Sequence, residues 1–204
     1  MWLPVILLAG MFTDLKEKYI EECPVLLENK NYDVCYNLKY KSPEAGYVKL
    51  DSRVDDVNIK THYYFKSDDR LPKRYRGYSS RFKNSEFNLG HTIVSDASQD
   101  FDIESLKETY IMSNVTVQYP RTNKYSYLVV EQYIRKLAAV YNYIEVLTIV
   151  SYSSHSLKDI RIPNNYYKIL KYGDFQQCFR IPNDNVKYNL LDMIVDCQKL
   201  KEEL

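Results

Sequence analysis

The sequence predicts an α+β protein built on a central antiparallel sheet flanked by helices, and three observations carry that expectation. Stretches that alternate with period two, rich in β-branched and aromatic residues, recur along the chain. Most of them follow one another with no helix between, and strands joined in that way pair antiparallel. One stretch, residues 123–141, has instead the three- and four-residue apolar spacing of an amphipathic helix.

Taken in order, the N-terminus MWLPVILLAGMF is apolar and turns abruptly polar at TDLKEKYIEE. An apolar run of about eleven residues is too short to span a bilayer and fits the core of a signal peptide. No basic residue precedes it, however, and Ala9 and Gly10 are the best cleavage position on offer. Residues 1–14 are therefore read as a signal peptide or N-terminal hydrophobic segment, with a buried strand as the alternative, and 15–204 as one domain. A secreted or periplasmic location is expected, with membrane contact only through an uncleaved N-terminus.

Residues 14–22 read as a short helix. YDVCYNLKY and GYVKLDSRV read as half-buried strands, with KSPEAG as the turn between them. Residues 60–83 are loop-like and hold eight basic side chains against two acidic ones, interleaved with Tyr and Phe. Such a segment is either a solvated basic loop or a nucleic-acid rim, since phosphates need cations and unstacked bases accept ring faces. FDIESLKETYIMSN reads as a short helix turning into a strand. In the long helix Tyr127, Val130, Ile134, Leu137 and Val140 form the apolar stripe. YIEVLTIVSYS is apolar enough for the centre of a sheet. YYKILKY and CFRIP add two strands, and NLLDMIVDCQKLKEEL reads as a terminal helix.

With 28 basic and 27 acidic side chains, net charge argues neither for nor against a polyanionic partner. The 21 tyrosines suit a sheet-rich fold, each offering rigid apolar area with a polar tip. Four cysteines without a C-x-x-C argue against a zinc ribbon or redox motif. Two bridges in an oxidising compartment suit the export reading, and Cys23–Cys35 with Cys178–Cys197 is one of three connectivities.

The chemistry lies between residues 88 and 138. Asn123 opens the long helix, with Glu131 eight and Arg135 twelve residues on. At about 100° per residue these three fall within roughly 120° of one another. Singly they are an N-cap and a surface ion pair. Together with NLGH at 88–91 and SNVTVQ at 113–118, the order resembles the DNA/RNA non-specific endonuclease family, which has the ββα-metal nuclease fold. That family's pattern runs Asp-Arg-Gly-His and then Ser-Asn-Ile-x-Pro-Gln. An Asn at a helix start follows, then Glu eight residues later and Arg four beyond. GYVKL before this region and IPNNYYKIL after it extend the likeness over most of the chain.

The resemblance implies a metal-dependent endonuclease that cleaves DNA and RNA with little sequence preference. His91 takes the place of the general base, and Asn123 that of the one direct protein ligand of Mg²⁺ (or Mn²⁺). Glu131 would orient water about the metal, Arg135 would support the glutamate or a phosphate, and Asn114 would steady the hairpin of the histidine. DNA and RNA are the expected partners, with an inhibitor protein as a further candidate. His62, Arg74, Arg76 and Arg81 of the basic loop are the expected nucleic-acid contacts. In KTHYYFKSD, His62 stands where the family has a phosphate-binding arginine, with Phe65 and Asp68 aligned. Asn88-Leu89 replaces the family's Asp-Arg, and Val117 its proline. These departures define the alternative: a catalytically degenerate, nuclease-like protein that binds nucleic acid or another partner without cleavage. Gly90 is expected to let the backbone approach the site closely. His155, in SYSSHSL, is expected in a loop with no role.

Overall fold

The computed structural model describes residues 9–52, 63–93 and 103–204. Its longest strand, β6 (Tyr143–Leu157), shows how the sequence sets the architecture. Side chains alternate across a strand, and here Ile144, Val146 and Val150 are buried in one apolar cluster while Leu147 and Ile149 are buried in another. A strand buried on both faces belongs inside a sheet, and β6 is the middle strand of seven, in the order β1-β2-β3-β6-β7-β8-β9. The others are β1 (Leu26–Glu28), β2 (Tyr32–Asn37), β3 (Ser42–Asp51), β7 (Ile160–Tyr172), β8 (Phe175–Pro182) and β9 (Ile194–Val195). Every neighbouring pair is antiparallel.

Helices cover both faces, giving the expected α+β class. On one face lie α2 (Ile103–Thr109) and α3 (Tyr127–Tyr141), which contribute Leu106, Tyr127, Val130, Ile134 and Ala138 to the first cluster. On the other lie α1 (Ala9–Lys16) and α4 (Cys197–Glu203), burying Met11, Phe12, Leu15 and Leu200. The packed residues thus reach back to Met11, while residues 1–8 of the expected N-terminal segment lie outside those described. Both disulfides, Cys23–Cys35 and Cys178–Cys197, belong to this second face, with Cα separations of 5.7 and 5.4 Å. A separate antiparallel pair, β4 (Asn88–His91) and β5 (Val115–Gln118), stands on the α3 side. Together β4, β5 and α3 make a ββα unit. The chain just after β4 rests directly on the sheet: a Cβ on Gly46 of β3 would lie 2.5 Å from Ile93 Cγ1, so only glycine admits it.

Four local expectations need correction. KSPEAG is not a turn; Ser42–Gly46 pair with β2, and the turn lies at residues 37–41, closed by Lys41 N donating to Asn37 O at 2.8 Å. Pro43 is accommodated because the β2–β3 register slips beside its partner Tyr36, and proline within sheets is tolerated at such bulges. The terminal helix starts only at Cys197, where Asp196 caps it by accepting from Lys199 N at 3.0 Å. Before it, Ile194–Val195 pair with β8 instead. Val140 is 77 % exposed and Ala138 takes its place in the stripe, which follows four-residue steps from Val130. His155 lies on β6, exposed, rather than in a loop.

Candidate active site

His91 ends β4, and its ring is wedged edge-on between two aromatics, Tyr110 at 4.9 Å and Phe65 at 5.1 Å between centroids. The backbone that follows is bolted down by Asn114, which is fully buried. Its carbonyl accepts from Thr92 N at 2.8 Å, its Oδ1 accepts from Ile93 N at 3.0 Å, and its Nδ2 donates to Thr109 O at 3.0 Å. A buried amide with this many partners is rigid, because losing any one strands a polar group away from water. Thr92 itself is tied through its hydroxyl to Thr116 at 2.8 Å, and Thr116 to the Tyr166 hydroxyl at 2.9 Å.

A short relay connects the histidine strand to Asn123. Gln118 Nε2 donates to the His91 carbonyl at 3.4 Å, and Asn123 Nδ2 donates to Gln118 Oε1 at 2.8 Å. The orientations follow from the acceptor at the start. A backbone carbonyl can only accept, so Gln118 must offer it the NH₂ end and turn its oxygen to Asn123. Asn123 must then answer with its own NH₂, which leaves Oδ1 as its outward atom. Among the described residues nothing donates to that oxygen. Gly90 makes the arrangement possible, since a Cβ there would sit 2.5 Å from Gln118 Cδ and closer still to both amide ends.

Asn123 is not the first residue of α3 but the second of a π turn, Thr122–Ser126, that leads into it. In an ideal α-helix, residues eight apart differ by about 80° in direction. Each hydrogen bond of a π turn spans one residue more, so the chain winds less per residue and Asn123 comes round toward the line of Glu131. Glu131 and Arg135 are both part-exposed on that helix. No ion pair joins them, and among the described residues Arg135 has no hydrogen-bond or ion-pair partner. Glu131 lines a cavity of about 10 Å³ with Lys168 of β7. Burial draws the Lys168 ammonium down to about 8, with Glu131 opposing the shift. Among the described residues no three His, Cys, Asp or Glu side chains converge as a metal site. The Asn123 amide oxygen, left without a donor among the described residues, suits Mg²⁺, a cation that keeps most of its waters and takes few protein oxygens.

The basic loop is more internally occupied than expected. Arg76 Nε donates to Leu71 O at 2.6 Å, and its other nitrogens bind Asp69, so it clamps its own loop rather than standing free for phosphate. Arg81 pairs with Asp159 and lies over the Tyr78 ring. Arg74 is exposed, stacked on Tyr75 at 4.6 Å. Asp68, 4 % exposed, is held by Arg70 and accepts from Ser113 Oγ at 2.6 Å, tying this loop to the residue before Asn114. Burial alone would raise its carboxyl, but Arg70 and Ser113 hold it below the usual range. His62 lies outside the described residues. The departures Leu89 and Val117 face each other across β4 and β5, an apolar cross-strand pair within one cluster. Gln118 and Lys168 were not singled out from the sequence. Gln118 stood in the SNVTVQ stretch, and Lys168 is the one charge inside the otherwise apolar and aromatic run YYKIL.

Comparison with known proteins supplies a family and a fold. The family model described as DNA/RNA non-specific endonuclease matches residues 16–203. Mitochondrial endonuclease G of Homo sapiens is 23 % identical over 160 residues, covering 71 % of this chain and 54 % of that protein. The Bos taurus counterpart is 23 % identical over 120 residues, covering 52 % and 40 %. The chain thus spans about half the length of these relatives or less. A solved structure described as the EndoG/EndoGI complex, on the mechanism of EndoG inhibition, superimposes with a TM-score of 0.79. It is 15 % identical and covers 91 % of this chain and 87 % of that one, which establishes a shared fold.

Proposed function

Because the chain belongs to the DNA/RNA non-specific endonuclease family, we propose that it hydrolyses phosphodiester bonds of DNA and RNA with little sequence preference, using Mg²⁺ or Mn²⁺. The observation that carries the reading is the Gln118–Asn123 relay, which turns one amide oxygen outward beside the strand that ends in His91. His91 takes the proton of the attacking water, a task that suits an imidazole because its ordinary pKa lies near neutrality. Asn123 would hold the cation through Oδ1. When bound, the metal neutralises charge developing on the leaving oxygen. Glu131 orients water at the site, and Arg135 is free to meet a phosphate oxygen. Asn114 keeps the base in place through the two amides that follow it. Arg74 remains an exposed cation of the basic loop, with Lys73 and Lys83, for non-specific phosphate contact. Export to an oxidising compartment belongs to the same reading and is supported by the two disulfides.

Protein prepared unreduced from its native source tests both parts. Supercoiled plasmid and RNA are expected to be cut with Mg²⁺ and spared with EDTA. His91→Ala should lower the rate by about 10² to 10⁴. Asn123→Ala should weaken the response to Mg²⁺, with excess metal restoring part of the rate. A wild-type protein that binds but never cuts would establish the degenerate alternative, and four titratable thiols would overturn export.

A further inference from the structure

We propose that Lys168 is a positioning residue of this site, its buried ammonium joining the strand end that carries His91 to the helix that carries Glu131. The inference rests on the nuclease reading for its reaction, and on geometry for the tie itself. Lys168 lies in the middle of β7 and is 2 % exposed, between buried Tyr167 and Ile169. An ammonium is costly to bury unless partners compensate it, and an apolar side chain of the same length would fill the space more cheaply. What the lysine adds is therefore what its nitrogen holds.

That nitrogen donates to the Thr92 carbonyl at 3.2 Å and to Thr148 Oγ1 at 3.1 Å. It also lies 4.8 Å from the centroid of the Tyr127 ring. Thr92 is the residue after His91, and its carbonyl accepts from the Tyr127 hydroxyl as well. Tyr127 opens α3, one turn before Glu131. One carbonyl therefore gathers a donor from the sheet and a donor from the helix. Glu131 and Lys168 line the same cavity of about 10 Å³, together with Ile93 and Ile134. Such a space holds about one water at most, and the part-exposed Glu131 acts across it on the ammonium through its charge. Burial lowers the lysine to about 8 while Glu131 works against that shift. Sheet, histidine strand and helix thus meet at one nitrogen, and its removal leaves the Thr92 carbonyl with the Tyr127 hydroxyl alone and takes a positive charge from beside Glu131.

The test compares Lys168→Met, which keeps length and loses charge, with Lys168→Gln, which keeps an N–H but not the charge, and with Thr148→Val, which keeps the ammonium. Plasmid cleavage gives kcat and KM, while imidazole NMR follows His91, assigned by a His91→Gln spectrum. We expect kcat to fall by about 10- to 100-fold in Lys168→Met with KM little changed. The His91 resonance should move while that of His155 stays, Lys168→Gln should be intermediate, and Thr148→Val should stay near wild type. A folded Lys168→Met with wild-type kcat and an unmoved His91 resonance overturns the proposal. If that variant does not fold, a Lys168→Gln protein at full rate with an unmoved resonance does the same. Should the wild type cleave nothing, the nuclease reading fails separately; the tie then stands if the His91 resonance moves in Lys168→Met and falls if it does not.

Discussion

At Gly90 the space normally taken by a side chain is filled by the amides of Gln118 and Asn123. Alanine there would push the two amides apart, since a contact this short is absorbed only by moving them. Overpacking of this kind costs about 1–3 kcal/mol, a melting temperature lower by a few degrees at this size. The relay would suffer more than the fold. We expect Gly90→Ala to lose roughly 10- to 100-fold in cleavage and to need more Mg²⁺, read from a metal titration beside a thermal melt; wild-type metal dependence would show that the relay is dispensable. Residue by residue, the sequence marks such positions unevenly. Gly90, His91, Asn114 and Asn123 stand out because a motif spacing marks them. Lys168 does not, because its partners Thr92, Thr148 and Tyr127 are 76, 20 and 41 residues away along the chain. Arg76 was misleading for the opposite reason: composition counts a cation but does not reveal that Leu71 and Asp69 already occupy it.

Among the elements, the long helix was legible because its apolar period is sustained, whereas the π turn Thr122–Ser126 was not. A turn with one extra residue leaves almost the same apolar pattern. The expectation it generates is specific. Deleting Lys124 should let the segment relax into regular α-helix, which is intrinsically the commoner and better hydrogen-bonded form. Asn123 would then swing away from Gln118. The variant should melt no lower than wild type yet respond weakly to Mg²⁺, as differential scanning calorimetry and a cleavage titration would show. Loss of stability together with activity would mean that the extra residue serves packing. The short end elements were harder to read. Asp196 caps a helix of seven residues, and the apolar run before it pairs with β8 because a strand edge was available there, a tertiary fact no local pattern carries.

For the molecule as a whole, the α+β class was readable because β6 is apolar on both faces and the strands around it follow one another in sequence. The abundance of tyrosine has a measurable consequence. Tyr32, Tyr36, Tyr127 and Tyr166 lie in the core, and burial pushes each phenol well above its ordinary 10. Above that pH the unfolded chain would release these protons while the folded one keeps them. The stabilisation is therefore complete below pH 10 and lost as pH rises beyond it. In an alkaline titration these phenols should ionise in a step that coincides with the loss of far-UV circular dichroism. A tyrosinate signal complete before the fold is lost would contradict their burial.

The placement of the two disulfides gives the molecule a covalently braced back. Both lie on the face covered by α1 and α4, one tying the start of α4 to β8 and the other tying the chain after α1 to β2. The face that carries β4, β5 and α3 has no disulfide among the described residues and is held by noncovalent contacts. In the nuclease proposed above, nucleic acid would meet the face without bridges, so the covalent ties brace the fold without entering the site.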